Sequence, residues 1–233
     1  MSKINQLSMI EISDLEAIFK KIEIDFKDAP KLYISHELKN YSNIDDKAFR
    51  VLVAAVISLR TKEKTTWEVS ERVFNSVKNF KDLNNIPVEE LQSLLVPAGF
   101  YKRKALQLKT IAAVCLSDYQ GKVPETIDEL LKLNGVGRKV ANLVVTEVFD
   151  TDGICVDIHV HRICNRWGLV VSKNPNETEL ILRDILPKKY WRIINQRLVI
   201  FGQNFCLPIN PKCNNCFLNH KCAYAVDKGF MSS

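Results

Sequence analysis

Apolar side chains recur at helical spacing along nearly the whole chain. Leu15, Ile18, Phe19 and Ile22 fall at i, i+3, i+4 and i+7 behind the cap-like Ser13, which predicts a helix with one buried face. Residues 27–47, with Pro30 and Asn40, read as a connection containing a short helix. Phe49 to Leu59 is apolar on most sides and predicts a buried helix. Trp67, Val69, Val73, Phe74 and Val77 continue the pattern. Pro87 opens a short helix over Glu89–Leu95, and Pro97-Ala98-Gly99 ends it. Ala105, Leu108, Ile111, Ala112 and Cys115 give another amphipathic helix. Pro124 to Leu133 predicts one more, with Ile127, Leu130 and Leu131 on one face. No alternation is long enough for a strand and no repeat is present, so the fold class is all-α.

Composition agrees. Only 8 Gly and 8 Pro stand among 233 residues, too few turn formers for a many-stranded sandwich or barrel. The 46% hydrophobic and 26% charged content excludes global disorder. The length suits one large domain or two small ones. The uncharged stretch between Arg50 and Arg60 holds nine residues, and Leu198–Pro211 is broken by Gly202, Pro208 and several amides, so neither spans a bilayer. Glu11, Asp14 and Glu16 stand where an export signal would need an apolar run. The expected partners therefore exclude a membrane.

The net charge of +6 is unevenly spread. Residues 91–117 carry Lys102, Arg103, Lys104 and Lys109 and no acid. Residues 185–226 carry Lys188, Lys189, Arg192, Arg197, Lys212 and Lys221, again with no acid. Two such stretches predict a surface for polyanions, of which nucleic acid is the commonest. A merely solvated basic face fits the charge count as well.

Of seven cysteines, Cys115, Cys155 and Cys164 lie among apolar residues and read as core. Cys206, Cys213, Cys216 and Cys222 form C-x6-C-x2-C-x5-C, which points to a metal centre. Zinc usually takes two CxxC pairs and only Cys213–Cys216 is one. An iron–sulfur cube also takes four thiolates. Spacing alone leaves the two open, with His220 a possible stray ligand.

The helix ending at Leu133 runs into Asn134-Gly135, a turn pair, then Gly137, then a second helix through Val140, Ala141, Val144 and Val145. This helix–hairpin–helix unit is neither a Rossmann nor a Walker loop, since a helix precedes it and Val140 stands where those motifs need Gly or Ser/Thr. Its glycine-opened helix end suits a backbone phosphate, which makes Gly135, Val136, Gly137 and Arg138 candidate DNA contacts. Lys139 lies in the first turn. An amine at a positive helix end beside a second cation is a setting for a nucleophile, although spacing alone favours a phosphate contact. Asp157, between Val156 and Ile158, reads first as a helix N-cap. His159 and His161 read as structural histidines.

Taken together the residues resemble endonuclease III, of the helix–hairpin–helix DNA glycosylase superfamily. The matching pieces are L-N-G-V-G-R-K-V-A-N (133–142), V-D-I-H-V-H-R (156–162), G-F-Y-K-R-K-A (99–105), the four-cysteine tail, and F-G-Q-N-F-C-L-P-I-N-P-K-C (201–213). The resemblance implies two helical domains with a DNA-binding cleft between them: 42–151, and a discontinuous 1–41 with 152–233. It implies a 4Fe-4S cluster on Cys206, Cys213, Cys216 and Cys222, Lys139 as Schiff-base nucleophile and Asp157 as essential carboxylate. The implied activity is base-excision repair: a bifunctional DNA N-glycosylase for oxidised pyrimidines with AP lyase activity, a monomer acting on double-stranded DNA with damaged bases or abasic sites. The implied setting is a prokaryotic cytoplasm, archaeal or bacterial, at the nucleoid. Competing readings are a glycosylase/AP lyase of drifted mispair or abasic-site specificity, and a non-catalytic iron–sulfur DNA-binding protein; retained Lys139 and Asp157 argue against the last. Five positions depart from the family pattern: Arg60 for a frequent Gln, Glu63 for Asp, Phe100 for an aliphatic wedge, Asn134 for Pro and Ile158 for Thr. Arg60, Phe100 and the loop residue Lys212 complete the candidate DNA contacts.

Overall fold

The computed structural model describes residues 10–29, 32–34 and 41–230. Among them every regular element is helical. Pro30 and Asn40 of the expected connection lie outside the described residues. The chain divides into two compact units, residues 31–153 and residues 1–30 with 154–233.

In the unit of 31–153, α2 (Ile44–Ser58) is the central helix. It starts earlier than its apolar run because the Asn43 side chain accepts from the Asp46 amide, and Asp45 and Asp46 suit the positive helix end. Its Val51–Ile57 segment is wholly buried. Around it pack α3 (Glu63–Ser76), α6 (Tyr101–Asp118) and α8 (Arg138–Val148). Phe49 meets the rings of Phe74 and Phe80 edge-on. The short α4 (Phe80–Asn85), which the apolar pattern does not announce, is nucleated by Asn79 accepting from Asp82 N. Helix α5 (Val88–Leu95) follows Pro87 as expected. The expected Pro124–Leu133 helix shrinks to α7 (Ile127–Leu130). Thr126 caps the Glu129 amide and starts the helix there, and Leu131–Leu133 turn away into the hairpin.

In the other unit, α1 (Leu15–Asp25), α9 (Ile158–Trp167), α10 (Pro175–Ile185) and α11 (Ile193–Asn204) enclose a core of Leu15, Ile22, Trp167, Leu198 and Phe201. The short α12 (Ala223–Asp227) closes the cysteine loop. Ser13 is not the cap of α1. It lies in a 3-10 turn over Ile12–Asp14, whose start is tied by the Glu11 amide donating to the Asp14 carboxylate at 2.9 Å. Among the described residues no helix is long and apolar enough to cross a membrane.

Candidate active site and metal centre

The hairpin of the 31–153 unit is set by backbone geometry. Gly135 has φ +74°, a left-handed value that glycine adopts without strain. A Cβ there would also stand 2.6 Å from the Gln107 amide of α6, so the turn is seated on that helix. Gly137 differs: it is the N-cap of α8, and a Cβ on it would meet nothing within 4 Å. The space in front of Gly137 is therefore open to a ligand. Val136 is the buried member. Its side chain belongs to the core and its amide donates to Leu133 O at 3.0 Å, so both are engaged within the hairpin. Arg138 and Lys139 occupy the first two positions of α8, both half-buried.

A second feature of this unit joins two segments distant in sequence. Arg60 and Phe100 both have positive φ, +53° and +58°, and the Arg60 guanidinium lies over the Phe100 ring at 5.3 Å. Arg60 is exposed, and Phe100 is 59% exposed. Beneath them Lys104 is buried. Its ammonium donates to Ile57 O at 2.6 Å and Thr61 Oγ1 at 2.7 Å. Burial pushes the Lys104 amine down to about 8. Glu63 accepts from the Tyr33 amide at 2.6 Å.

The basic stretches are less free than the sequence suggests. In 91–117, Lys104 is buried and Lys109 donates to the carbonyls of Asn84 and Ile86 at the end of α4; Lys102 and Arg103 stay exposed. In 185–226, three cations meet acids from the N-terminal segment: Lys189 with Glu16 at 2.8 Å, Arg197 with Glu23 at 2.9 Å, and Lys221 with Asp14 at 2.7 Å. Lys221 and the Glu11 amide hold the Asp14 carboxyl below the usual carboxylate range. Lys212 is exposed, its amine 6.0 Å from the centre of the Phe205 ring.

In the other unit Asp157 is the N-cap of α9. One carboxylate oxygen accepts from His159 N at 2.8 Å and Val160 N at 3.1 Å. Capping fixes the orientation of this half-buried carboxylate. Ile158 beside it is 67% exposed. His161 is a structural histidine as expected: Nδ1 meets Thr178 Oγ1 at 2.7 Å and Asn165 Nδ2 at 3.2 Å. His159 Nδ1 meets Arg162 at 3.1 Å.

Cys206, Cys213, Cys216 and Cys222 line one pocket, partly open to solvent, together with Trp167, Phe201 and Phe205. Among the described residues no three His, Cys, Asp or Glu converge to hold a single metal ion. Burial pushes the Cys216 thiol up to about 12 and raises Cys213 and Cys222. Two arginines of α9 grip the loop that carries Cys206. Arg162 donates to Gly202 O and Cys206 O at 3.2 and 2.9 Å. Arg166 donates to Cys206 Sγ at 3.3 Å, Leu207 O at 2.7 Å and Pro208 O at 3.0 Å. Sequence reasoning missed these two and Lys104. The i, i+4 spacing that puts Arg162 and Arg166 on one side of an amphipathic helix was the available signal.

The comparisons with known proteins agree with one another. Residues 53–188 match the HhH-GPD superfamily base excision DNA repair protein family. The endonuclease III of Thermotoga maritima is 39% identical over 191 residues, covering 82% of this chain and 89% of that protein. The endonuclease III of Bacillus subtilis is 34% identical over 180 residues, covering 77% and 82%. The chloroplastic endonuclease III homolog 2 of Arabidopsis thaliana is 40% identical over 189 residues, or 77% of this chain; the chain spans about half (49%) of that relative's length. Among solved structures, a trapped endonuclease III–DNA covalent intermediate in an estranged-adenine complex matches with TM-score 0.81 and 31% identity, over 95% of this chain and 100% of that one. A non-covalent endonuclease III–DNA complex matches with TM-score 0.81 and 30% identity, over 96% and 100%.

Proposed function

The chain belongs to the endonuclease III family of base excision DNA repair proteins, and from that membership we propose how its residues divide the work. The activity is that of a DNA glycosylase with AP lyase activity, and the substrate is duplex DNA carrying an oxidised pyrimidine or an abasic site. The reacting sugar carbon is shielded in the duplex, so the damaged nucleotide is flipped out first. The Lys139 amine attacks C1′, and the C1′–N bond breaks as the base leaves. Asp157 accepts the proton that the amine gives up and offsets the positive charge growing on the sugar. The C1′–O4′ bond then opens, O4′ leaving as a hydroxyl with the proton that Asp157 returns, and the protonated imine formed at C1′ makes the C2′ proton acidic. Its removal breaks the bond from C3′ to the phosphate oxygen, which cuts the strand. Gly137 and Arg138 hold a backbone phosphate at the start of α8. Arg60 and Phe100 probe the bases around the vacated position, and Lys212 binds phosphate. The chain acts as a monomer in the compartment that holds the chromosome.

The residues present fit the group that the family implies: Cys206, Cys213, Cys216 and Cys222 line one pocket, and a 4Fe-4S cube is held by four cysteine thiolates. When bound at Cys206, Cys213, Cys216 and Cys222, a 4Fe-4S cluster supplies four iron–thiolate bonds that tie residues 206–222 into one loop.

The observation that carries the reading is Lys139 at the second position of a helix opened by Gly137, in a chain with this family membership. Borohydride reduction in the presence of abasic DNA tests it. The wild type should give a covalent adduct. Lys139→Gln should give none and should cut no strand, yet bind duplex within a few-fold. An adduct at the wild-type rate in Lys139→Gln would mean that another amine is the nucleophile.

A further inference from the structure

Arg60 and Phe100 stand on backbone that opposes its own conformation. Left-handed φ costs a non-glycine residue free energy and persists where the surroundings over-determine it. The surroundings here converge on one side chain. Lys104 donates to Ile57 O and to Thr61 Oγ1, at 2.6 and 2.7 Å, on either side of Arg60 in sequence. The same Thr61 hydroxyl accepts the Gly99 amide at 3.2 Å, which ties in the residue just before Phe100. Gly99 completes the join, since a Cβ on it would stand 2.4 Å from the Arg60 carbonyl oxygen. The two backbones could not approach so closely with any other residue there.

Lys104 is 4% exposed. A buried ammonium is a costly way to fill space, because an apolar side chain of the same length packs without losing hydration. What the ammonium adds is direction. It fixes the positions of residues 57 and 61 relative to α6, and thereby the residue between them. It also meets the carbonyl end of α2, where a cation is favoured.

We propose that Lys104 is a positioning residue for lesion recognition: it locks residues 57–61 to residues 99–101, so that Arg60 and Phe100 meet the duplex as one preformed pair. This rests on the reading of Arg60 and Phe100 as base-probing residues. A preformed pair avoids the cost of ordering two side chains and two strained loops on binding. The loss of Lys104 should therefore fall on duplex recognition and spare bond-making at Lys139.

Hydrogen exchange on the free protein reads the lock without DNA. Lys104→Met should raise amide exchange at residues 58–61 and 99–101 by about tenfold or more while α8 stays as in the wild type. Lys104→Arg, which keeps a cationic donor, should restore protection. Thr61→Val removes the shared hydroxyl from the other side and should reproduce the Lys104→Met pattern; it carries the test alone if Lys104→Met does not fold. Unchanged exchange in both segments overturns the lock. The recognition half is read as the ratio of affinities for duplex with a tetrahydrofuran abasic analogue and for undamaged duplex. Lys104→Met should narrow that ratio about tenfold, and should add nothing in an Arg60→Ala/Phe100→Ala background. An equal loss in both backgrounds overturns the positioning role. If Arg60→Ala/Phe100→Ala itself leaves the ratio unchanged, the base-probing reading has failed and the recognition half falls with it, while exchange still judges the lock.

Discussion

Two side chains pair an observed structural task with a proposed one. Asp157 caps α9 with one oxygen while the family role asks for its charge. Asn caps as well as Asp does, so substitution can separate the two. Asp157→Asn should keep thermal stability near the wild type but slow strand cleavage about 10²-fold or more, the scale of losing a positioned base or electrostatic stabiliser. Asp157→Ala should slow cleavage as much and also lose about 1 kcal/mol of stability; equal melting temperatures for the two variants would mean that the cap contributes nothing. Lys104 makes the parallel case in pH. Its amine sits at about 8 in the folded protein, against an ordinary value of 10.5. Between those values the unfolded chain binds more protons, so this residue makes stability rise with pH across that window. The penalty for holding the charge out of water acts in full below about pH 8 and is relieved above it. Denaturant unfolding at pH 7.5 and 10 should show a rise in the wild type that exceeds the rise in Lys104→Met by on the order of 2 kcal/mol. Parallel pH profiles would show that the Lys104 amine is not perturbed.

At the level of elements, apolar periodicity was a good guide and charge along the chain was a poor one. The stripes on α1, α2, α3, α6 and α8 all face cores as read. Ends were read less well where a single hydrogen bond decides them. Asn43, Asn79 and Thr126 each start a helix by capping an amide three residues on, and the periodic pattern carries no trace of that. The acid-free run 185–226 misled for a different reason. Its acids arrive from α1 and the turn before it, more than 150 residues away in sequence, so Lys189, Arg197 and Lys221 are answered in space. The buried Lys104 was legible only as a positive charge in a basic stretch, because nothing in K-R-K-A says which lysine points inward. Salt dependence of binding to undamaged duplex can sort the cations. Lys212→Ala should lower the slope of log K against log salt by up to about one unit. Lys189→Ala should change it less, since Glu16 already answers that charge. A larger effect from Lys189 than from Lys212 would mean that the Glu16 pair opens on DNA.

For the whole molecule, the motifs were legible because each is local, whereas their support is not. The hairpin, the Asp157 cap and the cysteine spacing each fit within about 20 residues. The seat under Gly135, the hold on the Cys206 loop and the acids from the N-terminal segment come from remote parts of the chain. The cysteine loop shows what this means for the proposed cluster. Its first part is anchored without any metal, because Arg166 holds Leu207 O and Pro208 O and Arg162 holds Cys206 O. The stretch beyond Pro208 carries Cys213, Cys216 and Cys222 and is folded in local turns, with Cys216 N donating to Cys213 O at 3.0 Å and Cys222 N to Leu218 O at 2.7 Å, which iron–thiolate bonds would tie to one another and to Cys206. Anaerobically purified protein should be yellow-brown with about four irons per chain. Cys213→Ser should lose the colour and most of the iron. It should then be cut by limited proteolysis within 209–221, leaving 206–208 and α9 protected by the two arginines. The helices of the 31–153 unit should keep their exchange protection, since their core is a separate one. Stoichiometric zinc without iron in the wild type would overturn the cluster and put a single-ion site on the same four thiols in its place.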